Sequence, residues 1–204
     1  MLIEHAGKRP RIHESAYVAP NAVVSGDVTV GEGARILFGA VVTAEGETGQ
    51  VTLGRDCIVM ENAVVRGRPG RPTSVGDSVL IGPHAHLNGC EVGDSVFIAT
   101  GASVFLGARV GDRAELRVGS VLHVNSALGR EQTLPIGWVA VGNPAQSFPP
   151  DRHDEIWAIQ RELGFPREAF GIDRPPPGET IMPEAMRRYS ERFGAHANDR
   201  VIEP

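Results

Sequence analysis

Apolar residues return along this chain with a period of six. Branched aliphatics stand at Ile12, Val18, Val24, Val30, Ile36 and Val42, and GETGQ then interrupts. The beat resumes at Leu53, Val59 and Val65, breaks over RPGRPTS, and resumes at Val75, Ile81 and Leu87. One residue is missing before Val92; Ile98, Val104, Val110, Leu116 and Leu122 follow. Four places after most of these starts lies a small residue, such as Ala22, Ala34, Ala40, Cys57, Ala63, Ala85, Ala102 or Ala114. A six-residue period walks around an α-helix and marks no single face. It is also too short and too regular for a series of hairpins. A short strand followed by a tight corner does fit. Three such units close a triangular coil, and coils stack about 4.8 Å apart. The branched residue fills the interior, and the small one leaves room at the corner. The pattern predicts an all-β chain, a left-handed parallel β-helix of about six coils over residues 1–148. Its handedness rests on the hexad pattern, because the general crossover rule favours the opposite hand.

After Leu128 the beat fades, and LPIGWVAVGNPAQ reads as a closing turn. Residues 149–204 are expected to form a C-terminal helical extension. One helix starts near Pro150 and Asp151, with Ile156, Ile159 and Leu163 on one stripe. A second covers Pro183 to Phe193, with Met186, Tyr189 and Phe193 as its stripe and Gly194 as its stop. Residues 165–182 read as irregular, and the last ten as loose or wrapped on a partner subunit. Helices beside a solenoid usually cover unpaired strand edges.

Composition fits this picture: 25 glycines, 15 prolines and only 5% aromatics suit tight corners better than a layered α/β core. The net charge of −5 argues against a nucleic-acid partner and offers nothing to an anionic membrane. Cys57 and Cys90 make neither a disulfide framework nor a cysteine zinc site. MLIEHAGKRP lacks the apolar run of a signal peptide, and no apolar run approaches a membrane span. A cytoplasmic, soluble protein is expected.

Three hexads per coil bring Val42, Val65, Leu87, Val104 and Leu122 to one face. The residues flanking each of these point outward. One outward column is then Thr43, Arg66, Asn88, Phe105 and His123; the other is Val41, Val64, His86, Ser103 and Val121. Glu61 and Pro83 fall at matching corners of the preceding face, and His84 follows Pro83. The apolar members of these columns predict an interface, with a polar cluster inside it as the candidate site. His5, His13, His153 and His196 are expected to be solvated.

The hexads, LNGCEVGDSVFIATGASV and the closing GNPA together resemble the γ-class carbonic anhydrase family of left-handed β-helix proteins, over about residues 10–160. The resemblance implies a homotrimer with zinc held between subunits by three histidines. Carried over residue by residue, the zinc site is absent. VMENAVVRG puts Arg66 at one histidine position, Met60 at a glutamine position and Glu61 at an aspartate position. GPHAHLNGC puts Pro83 and Asn88 at the other two histidine positions. Thr43-Ala44-Glu45 replaces an element that holds an arginine in the family. Zinc catalysis needs three neutral donors and an open position for water. A guanidinium is no ligand and repels a dication, and proline offers no side-chain donor. The expectation is no cofactor and no zinc at Arg66, Pro83 and Asn88, with His84, His86 and His123 as a weaker alternative metal set.

What remains is a subunit-interface pocket for a small anionic molecule, with Arg66, His86, Asn88, Glu61 and His84 as candidate catalytic residues. Arg66 serves either as an anion clamp or as an ion-pair partner of Glu61 or Glu45. A histidine beside it could act as general acid or base in metal-free lyase, hydratase or hydrolase chemistry. Two other readings stay open, a hexapeptide-type acyl-CoA-dependent acyltransferase and a non-catalytic scaffold or binding trimer.

Overall fold

The computed structural model describes residues 1–202 as a three-faced parallel β-solenoid with helices at its C-terminal end. One face is a ten-stranded sheet and the other two are seven-stranded. The eighteen hexads seen in the sequence all form strands. Four further strands, around Leu2, Leu128, Leu134 and Ala140, lengthen the coil from the expected six to about eight turns. The three C-terminal rungs keep the six-residue spacing from Leu122, at Leu128, Leu134 and Ala140, but Gln132 and Trp138 stand where a small corner residue is expected; the first rung, around Leu2, is set apart by the MLIEHAGKRP start.

The register follows burial. Val42, Val65, Leu87, Val104 and Leu122 are fully buried and pair rung to rung. Ile36, Val59, Ile81, Ile98, Leu116 and Leu134 fill a second face in the same way. The corner residues Ala22, Ala34, Ala40, Cys57, Ala63 and Ala102 are fully buried, and valines fill the same position at Val28, Val79 and Val96. Just before the corner residues Cys57, Ala63, Val79, Ala85, Val96 and Ala114 the chain enters the left-handed region, at Asp56, Asn62, Ser78, His84, Ser95 and Arg113. Each such non-glycine residue costs roughly 1 kcal/mol, offset by the rung bonds and burial that the corner allows. At another corner the coils approach so closely that a Cβ on Gly54 would lie 2.5 Å from the Gly76 carbonyl oxygen.

The open edges of the ten-stranded face are closed by antiparallel strands. Gln146–Phe148 pairs with Val139–Val141 at one edge, and Arg200–Ile202 pairs with Leu2–Glu4 at the other. An exposed strand edge is a template for association, and this pairing blunts both ends. The last residues described therefore wrap their own first strand. Three helices lie between these features: α1 (His153–Gln160), α2 (Phe165–Phe170) and α3 (Met182–Phe193). α2 falls in the stretch expected to be irregular. It starts with Pro166 in its first turn and is bounded by Gly164 and Gly171, both left-handed. α3 buries Ala185, while Met186, expected on the apolar stripe, is exposed.

The segment from Leu163 through α2 packs on the outward side of the ten-stranded face. Phe105, Leu106 and Val124 form a small core with Leu163, Phe165, Ala169 and Phe170. The RPGRPTS loop fastens it. Arg68 donates to the Ala169 carbonyl at 2.8 Å, and Arg71 donates to the Glu168 carboxylate at 2.6 and 2.9 Å. Part of the face expected to lie at an interface is thus covered by the chain's own C-terminal segment.

Candidate functional site

Both outward columns form as the hexad register requires. Arg66 is directly opposite Thr43 on one side and Asn88 on the other; Val64, His86 and Ser103 are similarly aligned. Ser25, paired with Thr43, extends the first column by one rung. Arg66 and Asn88 are half-buried.

Arg66 is ion-paired with Glu45, not Glu61. Glu45, only 3% exposed, closes the rung that carries Thr43. Arg68 and Arg192 stand 3.9 and 3.5 Å from its other oxygen. Three guanidiniums therefore surround one buried carboxylate and leave an excess of positive charge. Burial, and then repulsion from Arg192, pulls the Arg68 guanidinium below its ordinary range.

Beside this cluster lies a cavity of about 280 Å³, lined by Ser25, Val41, Thr43, Glu45, Arg66 and His196. That volume is at the small end for ligand sites. A second recess of about 30 Å³, lined by Arg66, Asn88, Tyr189 and Arg192 among others, is large enough for one water. Asn88 Oδ1, Arg192 Nε and Glu45 Oε2, all buried, have no hydrogen-bond partner among the described residues.

The other candidates lie elsewhere. Glu61 and His84 meet at a corner, where the His84 N–H donates to the Glu61 carbonyl at 3.1 Å, and the His84 side chain is exposed. His86 and His123 are half-buried, and Phe105 lies between their rings, 6.4 and 6.0 Å from them. The alternative metal set His84, His86 and His123 therefore does not converge: one ring points out at a corner and an aromatic ring separates the other two. Burial lowers the pKa of both inner histidines, and Arg66 adds to the effect at His86.

The expectation of solvated outlying histidines holds for His13, His153 and His196, which are exposed, and fails for His5. His5 is 2% exposed and stacks on His196 with ring centroids 4.4 Å apart. Asp199 bridges the two rings, 2.5 Å from His5 Nδ1 and 2.8 Å from His196 Nδ1. Among the described residues, these three are the only group of three or more His, Cys, Asp or Glu side chains placed to share an ion. Burial alone would raise the Asp199 pKa, but its bonds to His196 and His5 outweigh that and hold it below the usual carboxylate range.

One corner is apolar and open. Successive rungs bring Phe38, Glu61, Pro83, Thr100, Val118 and Ile136 into line through backbone bonds. Phe38, Val118 and Ile136 are 51%, 50% and 69% exposed.

Residues 9–44 match the family described as bacterial transferase hexapeptide (six repeats). A crystal structure of a hexapeptide transferase family protein from Anaplasma phagocytophilum aligns with a TM-score of 0.54 at 27% identity, over 79% of this chain and 91% of that one. The chain has the hexapeptide-repeat, left-handed β-helix fold of these proteins. Within that class its curated relatives include γ carbonic anhydrases. Gamma carbonic anhydrase 1, mitochondrial, of Arabidopsis thaliana is 34% identical over 160 residues, covering 76% of this chain and 55% of that protein. The carbonic anhydrase of Geobacillus kaustophilus is 26% identical over 161 residues, covering 79% and 84%. The chain spans about half the length of the first curated relatives it matches.

The residues at the positions that the resemblance gives to zinc ligands do not fit that metal. Arg66 is cationic and engaged by Glu45, Pro83 has no donor, and Asn88 offers one neutral amide oxygen.

Proposed function

We propose that this chain acts as a homotrimer whose subunit-interface pocket, beside Arg66, binds a small anionic molecule and carries out metal-free lyase, hydratase or hydrolase chemistry. The observation that carries the reading is the ring of Arg66, Arg68 and Arg192 about the single buried carboxylate of Glu45, next to a small cavity. In a partly desolvated site, unbalanced guanidinium charge attracts an oxyanion and can bind it through paired N–H donors. The cavity suits a molecule of a few heavy atoms. Along the open corner, Val118 and Ile136 on adjacent rungs, with Phe38 further along, support association of subunits, since large apolar side chains exposed together are costly in water. On this reading Ile136→Asp produces monomers in analytical ultracentrifugation. A trimer that survives this change and Phe38→Asp together removes that corner from the interface.

Thermal-shift measurements with formate, bicarbonate and inorganic phosphate test the pocket, because a ligand that binds only the native state raises the melting temperature once its concentration exceeds Kd, and logarithmically beyond that. Small oxyanions are expected to stabilise the wild type and not Arg66→Met. The acyl-CoA-dependent acyltransferase reading is favoured instead by the hexapeptide transferase family match and by the aligned hexapeptide transferase family structure. Stabilisation by acetyl-CoA that persists in Arg66→Met, with no response to small oxyanions, would establish it. No response to either class points to the non-catalytic trimer. No helix among the described residues is long and apolar enough to cross a membrane. The cytoplasmic location is likewise a proposal, checked by cell fractionation.

A further inference from the structure

The His5–Asp199–His196 cluster has the residue types of a metal site, but its hydrogen bonds point elsewhere. The Gly46 backbone N–H donates to His5 Nε2 at 3.0 Å. That nitrogen must therefore carry a lone pair, so the neutral ring holds its proton on Nδ1. The Nδ1 proton goes to Asp199 at 2.5 Å, and His5 has no lone pair left for an ion. Ionised Asp199 only accepts, so the His196 contact at 2.8 Å is also an Nδ1–H donor. This bond sets the tautomer of His196 and leaves its Nε2 lone pair free. No hydrogen bond engages Nε2 among the described residues, and the ring lines the same cavity as Arg66, Ser25 and Thr43. A base whose far nitrogen is held by a carboxylate, with that carboxylate held by a further donor, is the arrangement that orients an imidazole for proton transfer.

We propose that His196 is the acid–base residue of the Arg66 pocket, and that Asp199 and His5 are its positioning residues. The proposal rests on the anion-pocket reading above. The ligand class is a small carboxylate or bicarbonate-type oxyanion, held by Arg66. With the oxyanion bound, His196 is the imidazolium and passes its Nε2 proton to the ligand oxygen: the O–H bond forms as the Nε2–H bond breaks, and the ring returns to the neutral Nδ1–H form held by Asp199. The charged groups around His196 are Asp199 in its own segment, His5 on the first strand, Arg66 and Glu45 across the cavity, and Arg192 in α3. Binding of an anion beside the free Nε2 should therefore draw a proton onto it. The C-terminal segment then completes the site as well as covering the fold.

Calorimetric titration of the full chain with formate, repeated in buffers of different ionisation enthalpy, counts the protons taken up on binding. At about pH 8, above the ordinary imidazole range, wild type should bind formate with net proton uptake. His196→Gln should abolish the uptake while formate still binds through Arg66. Asp199→Asn should reduce the uptake, and long-range ¹H–¹⁵N spectra should show that His196 no longer holds its proton solely on Nδ1. Formate binding without uptake, or with uptake unchanged in His196→Gln, overturns the role of His196 and leaves the anion pocket standing. Absence of formate binding to wild type overturns both.

Discussion

Removing the carboxylate of Glu45 strands three guanidiniums. Glu45→Gln keeps the volume and removes the charge, and the three partners feel it unequally. The Arg68 side chain is 9% exposed, those of Arg192 and Arg66 are 26% and 31% exposed. Breaking a buried pair by deleting one partner costs about 3–5 kcal/mol. Two of the arginines reach water here, so the expected loss is at the low end, about 3 kcal/mol. For a chain of this size each kcal/mol moves the melting temperature by about 2–4 °C, which predicts a fall of about 6–12 °C. Differential scanning calorimetry at fixed subunit concentration measures it, since association would otherwise shift the midpoint. Adding Arg66→Met to Glu45→Gln removes one of the repelling charges and should restore about 1 kcal/mol, an interaction that a double-mutant cycle reads directly. A Glu45→Gln loss below about 1 kcal/mol, or a double variant less stable than Glu45→Gln alone, would refute the claim that the ring carries unbalanced charge.

Two further predictions concern the covered face. The pKa values of His86 and His123 are lowered by burial, so the unfolded chain binds protons that the folded chain does not. The associated stability is complete above the ordinary histidine value and is lost as pH falls through it toward the lowered folded values. Urea midpoints should fall between about pH 7.5 and 5.5, and His86→Gln with His123→Gln should flatten that slope; an unchanged slope assigns the acid loss to other groups. Phe105→Ala should cost about 3 kcal/mol and speed hydrogen exchange in α2 while the coil interior stays protected, because Phe105 packs the strand against Phe165 and Phe170. Uniform loss of protection would show that the helical segment and the coil unfold as one unit.

The coil was readable because its inward positions repeat. Each hexad start is a buried branched residue, and a slip of one residue would turn that set outward. The same register put Arg66 beside Asn88 and His86 beside Val64 without any structure. Arg66 as the partner of Glu45 was one of the pairings it left open. The other half of the site had no periodic signal. His5 meets Asp199 across 194 positions, and His196 reaches the Arg66 cavity only because Arg200–Ile202 pairs with the first strand. A pattern that repeats every six residues carries no information about where a non-repeating tail will dock. The cue that exists is local: FPREAF places Phe165, Ala169 and Phe170 at helical spacing between two glycines, although PPPGE follows shortly after. Phe105 gave a similar hint, as a large aromatic on an outward column that needed a cover.

Arg66 stands at a position that the carbonic anhydrase resemblance gives to a zinc ligand, paired with Glu45, and on the reading proposed above this place receives an oxyanion. The most direct measurement is an anomalous difference map at the zinc edge, from crystals grown with both zinc and bicarbonate. Oxyanion density is expected against the Arg66 guanidinium, with no zinc peak within ligand distance of Asn88 or the Pro83 corner. A zinc peak held by Asn88 together with a histidine of a neighbouring subunit would contradict that reading.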